Sequence, residues 1–86
     1  MMIFVLAPPA IYDHPYRGHV VEMVMPLHKA RALCGRRGAY ADACSWTANG
    51  KCYVVIPRNG PVKSLKAYRR HEVAHCNGWS ESHGRF

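Results

Sequence analysis

The sequence predicts an α+β fold, a small mixed or antiparallel sheet with a β-hairpin packed against a helix near the C-terminus, and three observations predict it. Short apolar runs rich in β-branched residues lie between turn residues at 19–25, 43–48 and 51–56. Asn49-Gly50 separates the last two runs, the strongest short-range signal for a tight hairpin. Ser64 then opens a helical pattern that reaches about Asn77 and is stopped by Gly78.

Length sets the scale of what can be buried. An 86-residue chain predicts one domain spanning 1–86, at the small end of what folds alone, where only about 60–65% of the unfolded surface is buried. Such a core needs staples. Two kinds are visible: a set of potential metal ligands, and Cys34, Cys44, Cys52 and Cys76, an even number that three connectivities could pair. An apolar share of 49% with only 20% charged residues argues against disorder.

The opening Met1–Ala7 is apolar but has no basic start and is cut short by Pro8-Pro9. It therefore reads as a strand and fits a signal peptide poorly. No stretch approaches the roughly 20 apolar residues of a spanning helix, so a soluble chain without membrane insertion is expected. Four cysteines suit an oxidising compartment, yet reduced buried thiols would look the same, and the compartment stays open.

The interior elements follow from local patterns. Residues 12–18 have turn composition, and His19 to Met25 form a strand ended by Pro26. Leu27 to Cys34 alternate apolar and basic residues at helical spacing, with Gly35 as the expected stop. The hairpin strands run 43–48 and 51–56, the second closed by Pro57. A two-residue loop places Thr47 opposite Cys52 and Cys44 opposite Val55, which puts Cys44 and Cys52 on opposite faces and argues against a bond between them.

The helix that opens at Ser64 carries the chemistry. Histidines four apart on a helix share a face, so His71 and His75 can direct two imidazoles at one ion, with Glu72 beside them. In His-Glu-x-x-His the glutamate is not a ligand. It takes a proton from water activated by the metal and delivers it to the leaving amine. A catalytic zinc uses three protein ligands, so a third donor must return from beyond the helix. After the break at Gly78-Trp79 come Glu81 and His83, either able to do so.

The run His71-Glu72-Val73-Ala74-His75-Cys76-Asn77-Gly78-Trp79 resembles the zincin superfamily of metallopeptidases, over about a quarter of the chain, and Gly78 looks like the glycine of the extended metzincin motif. The metzincin ligand falls three residues after that glycine, at Glu81, and no Met-turn follows. His83 is preferred as third ligand because neutral imidazole suits zinc, with Glu81 the gluzincin-like alternative. The resemblance implies a Zn²⁺ cofactor on His71, His75 and His83, Glu72 as general base, and a peptide or protein substrate. It also implies an edge strand beside the motif helix that binds extended substrate by β-augmentation, a place that Cys52–Ile56 would fill.

Other residues have plainer readings. Cys76 points about 100° away from His75 around the helix and is expected to be buried or disulfide-bonded. Trp79 is expected to pack under the turn and fix the third ligand. His14, His19 and His28 receive no role. Tyr40, Tyr53 and Tyr68 could each donate to an oxyanion, and the sequence does not choose among them.

A net charge of +7, with six histidines uncounted, attracts acidic partners, among them nucleic acid, anionic membrane or an acidic substrate. The basic residues are scattered from Arg17 to Arg70, so nucleic acid is not the favoured partner. The rival to a peptidase is a non-catalytic zinc-stapled module whose basic face binds an acidic partner or nucleic acid.

Overall fold

A computed structural model describes residues 5–84. Five elements follow in order: β1 (His19–Pro26), α1 (Leu27–Arg36), β2 (Cys44–Ala48), β3 (Lys51–Arg58) and α2 (Leu65–Cys76). The strands form one sheet in the order β1-β3-β2, with β1 parallel and β2 antiparallel to β3. The fold is α+β with a mixed sheet. No helix among the described residues is long and apolar enough to cross a membrane.

The helices cover opposite faces of the sheet, and period-2 alternation along β3 sorts its residues between them. Cys52, Val54 and Ile56 face α2 and form a cluster with Ala43 and Tyr68, while Val55 faces α1 with Ala30, Cys34 and Cys44. Ile56, Val54, Val55, Pro57, Cys34 and Cys52 are the largest fully buried side chains. β3 is thus central and buried on both faces. It is not the substrate-binding edge expected for Cys52–Ile56, because β1 and β2 occupy both of its edges. An unbroken apolar run is the mark of a doubly covered strand, whereas a half-exposed strand alternates. Among the described residues, the outer edges of the sheet belong to β1 and β2.

The hairpin forms in the expected register, with Thr47 opposite Cys52 and Cys44 opposite Val55. Asn49 and Gly50 both take positive φ, 53° and 74°, the backbone that a two-residue turn of matching twist needs. Cys44 and Cys52 lie on opposite faces, and each is bonded to the helix on its own side. Cys34–Cys44 ties α1 to β2, and Cys52–Cys76 ties β3 to α2.

Three boundaries differ from expectation. Met1–Phe4 lie outside the described residues, and Val5–Ala7 form no strand. α1 continues through Gly35 to Arg36 because the stop is Gly38, at φ 87°. Ala39 N–H donates to Cys34 O and Gly38 N–H to Gly35 O, satisfying the last carbonyls. β3 runs past Pro57 to Arg58, since Pro57 lies beyond the start of β2 and its missing N–H breaks no β2 ladder bond.

α2 begins where Ser64 Oγ accepts from Ala67 N–H at 3.1 Å. It ends in the same closure as α1, with Gly78 N–H donating to His75 O and Trp79 N–H to Ala74 O around Gly78 at φ 110°. Exposed ion pairs join α2 to the rest: Arg69 with Glu22 on β1 and Arg70 with Asp13 in the preceding loop. Such pairs position more than they stabilise.

The disulfide across the α2 face closes a 24-residue separation. Replacing Cys52 and Cys76 together by Ser should lower the unfolding free energy by about 3 kcal/mol, read from urea midpoints at constant slope.

Candidate metal centre

His71 and His75 lie one turn apart on α2, and the stop at Gly78 swings the chain back so that His83 meets them. The three Nε2 atoms form a nearly equilateral triangle: His71 to His83 3.1 Å, His75 to His71 3.2 Å and His75 to His83 3.2 Å. Tetrahedral zinc with Zn–N bonds of about 2.0–2.1 Å sets its ligand nitrogens about 3.3 Å apart. The spacing fits such an ion.

The far side of each helical imidazole settles its orientation. His71 Nδ1 lies 2.7 Å from Leu6 O and His75 Nδ1 lies 2.9 Å from Trp79 O. A carbonyl only accepts, so each Nδ1 carries the proton and each Nε2 turns a lone pair to the centre of the triangle. Burial foremost, then the neighbouring imidazoles, holds the pKa of His71 below its usual value, which favours the neutral, ligating form. Lone pairs directed at one another across about 3 Å repel, and a cation between them removes the repulsion.

Trp79 holds the returning segment. Its side chain is only 3% exposed, its ring stacks on His75 at 4.8 Å and 13°, and it meets His71 and His83 edge-on. Its indole N–H donates to Gly84 O at 2.6 Å, next to His83. His83 itself sits at φ 61°, a left-handed conformation costly for a histidine and kept because its surroundings impose it. Glu81 stays at the rim. Its side chain is 79% exposed, and its carboxylate approaches His75 only at Nδ1, 3.9 Å away, on the nitrogen already bonded to Trp79.

Glu72 is 5% exposed and accepts a hydrogen bond from Ser45 Oγ of β2 at 2.9 Å. Burial pushes its pKa up to about 7 against the opposing effect of the Ser45 bond. A cavity of about 290 Å³ opens beside His71, Glu72 and His83, walled by Val5, Leu6, Val62 and Tyr68. A second cleft runs along β2 from His83 and Glu81 to Arg37.

The three other histidines stand apart from the site. His14, His19 and His28 are exposed, and none joins the imidazole cluster. Tyr40 is 98% exposed, and Tyr53 stacks on Trp46 at 5.5 Å. Tyr68 lines the cavity with its hydroxyl pKa raised by burial.

Sequence reasoning missed two contributors. Ser45 shares a sheet face with Cys52, as the hairpin register indicates, so its approach to α2 could have been inferred. The Leu6 contribution is a main-chain carbonyl, which no residue type signals. No protein-family model, no curated protein and no solved structure matches the chain.

In the metal-free protein Glu72 keeps its proton up to about pH 7, while the unfolded chain loses it near 4.5. Its contribution to stability therefore falls as pH rises through that window. Relative to Glu72→Gln, the wild type should lose up to about 3 kcal/mol between pH 4.5 and 7, measured by urea unfolding with chelator present.

Proposed function

We propose that the chain is a zinc-dependent peptidase of zincin type, with His71, His75 and His83 as metal ligands and Glu72 as general base and then acid. The observation that carries this reading is the convergence of three Nε2 atoms beside a buried carboxylate that is not one of the converging groups. A bound zinc ion would supply a water of lowered pKa and polarise a substrate carbonyl.

The chain's own residues provide the rest. Leu6 O and Trp79 O hold the imidazoles of His71 and His75 in the ligating tautomer. Ser45 fixes Glu72 Oε1, so Oε2 is the atom that takes a proton from the attacking water and returns it to the leaving nitrogen. The open edge of β2, the strand that delivers Ser45, replaces β3 as the place for an extended peptide to add its backbone. The cavity beside Glu72 has the size and lining for one apolar side chain of that peptide.

Metal analysis of protein prepared without added metal should give one zinc per chain. His83→Ala should weaken zinc binding by about tenfold or more, and Glu81→Ala should leave it within about twofold, read by competition with a chromogenic chelator. Glu72→Gln should retain zinc and lose about 10²–10⁴-fold in peptide hydrolysis. A protein that holds zinc and cleaves no peptide would be the metal-stapled interaction module instead.

A further inference from the structure

The five carboxylate residues of the sequence are all accounted for. Asp13, Glu22 and Asp42 each pair with an arginine, Glu72 is buried at the metal centre, and Glu81 stands at its rim. Arg37 has no carboxylate within ion-pair distance among the described residues. It is nevertheless held in place. Its guanidinium lies 3.9 Å over the Trp46 ring, a contact that orients the plane while leaving the N–H edges exposed.

The backbone around Arg37 is equally fixed. Arg37 caps α1, with its N–H bonded to Leu33 O and Cys34 O, and Cys34 is bonded to Cys44 at the start of β2. The cation is thus tied to the strand whose outer edge lies beside the metal centre. A single cleft of about 410 Å³ is lined by His83 and Glu81 of the metal centre, by Cys44, Ser45 and Trp46 of β2, and by Arg37. A chain occupying that cleft with a carbonyl at the metal centre shares it with the Arg37 guanidinium.

We infer that Arg37 is a specificity-determining residue, and that the substrates are peptides carrying a carboxylate a short way from the bond that is cut. This rests on the peptidase reading and gives it a substrate class. The guanidinium pairs with that carboxylate through its exposed N–H edges while its face stays on Trp46. The overall charge of +7 draws acidic chains to the protein, and Arg37 sets their register. Glu81 in the same cleft repels a carboxylate beside it, so the position of the acidic residue matters and not only its charge.

The test uses the full zinc-loaded chain and peptides identical except for one Glu, Gln or Lys scanned through each position. One arm measures kcat/KM with wild type. The other measures binding of the same fluorescein-labelled peptides to Glu72→Gln protein, alone and combined with Arg37→Gln or Arg37→Glu, after confirming zinc content and circular dichroism. At one position the Glu peptide should bind about tenfold more tightly than its Lys counterpart. That preference should vanish with Arg37→Gln and reverse with Arg37→Glu. Equal binding of Glu and Lys peptides, or a preference that survives Arg37→Gln, overturns the inference. Charge-selective binding without hydrolysis by wild type overturns the peptidase reading and supports the role of Arg37. Hydrolysis without charge preference does the reverse, and binding of no peptide overturns both.

Discussion

The packing of Trp79 is the interaction on which the site depends. Three imidazoles do not gather at about 3 Å from one another unprompted, because each imidazole must surrender side-chain freedom and turn a lone pair toward two others. Trp79 touches all three rings, accepts from His75 through its carbonyl and donates to Gly84 through its indole. One nearly buried residue thereby sets the tautomer of one imidazole and the path of the segment that carries another. The left-handed turn at Gly78 is what brings it there.

The scaffold beneath is economical for its size. β3 is shared between two small clusters, one under each helix, so a single strand supplies core to both faces. Neither cluster is large, and each is reinforced by a disulfide between a strand and its covering helix. The Cys52–Cys76 bond ends on the residue after His75, which anchors the last turn of α2 to the sheet just where an imidazole must hold its direction. Chemistry and reinforcement sit side by side, as a small domain requires.

Much of this was legible in the sequence, for reasons that can be named. Spacing put His71 and His75 on one face, Ser64 and Gly78 marked the ends of α2, and hairpin parity separated Cys44 from Cys52. Parity alone did not reveal which helix each cysteine would meet, because that depends on how the sheet is covered. The same gap explains why the sequence places Cys52–Ile56 at an edge: an apolar run marks a strand, and its cover on both faces depends on where the helices pack. Gly35 and Gly38, three residues apart, both qualify as the stop of α1 by residue type, and only Gly38 takes a positive φ. Interactions made by main-chain carbonyls, such as that of Leu6, leave no trace in residue identity.

The hydrogen bond between His71 and Leu6 has a kinetic consequence. It joins groups 65 residues apart, and Glu72 reaches Ser45 across 27. Contacts this distant in sequence carry a high loop-closure entropy and raise the contact order, whereas the hairpin and the two helices form locally. The three imidazoles themselves lie within residues 71–83, so it is the Leu6 and Ser45 bonds framing them that carry this entropic cost. Partly folded chains, with hairpin and helices formed, would hold the imidazoles without the Leu6 and Ser45 bonds that orient His71 and Glu72, so the arrangement is complete only once these distant segments have met.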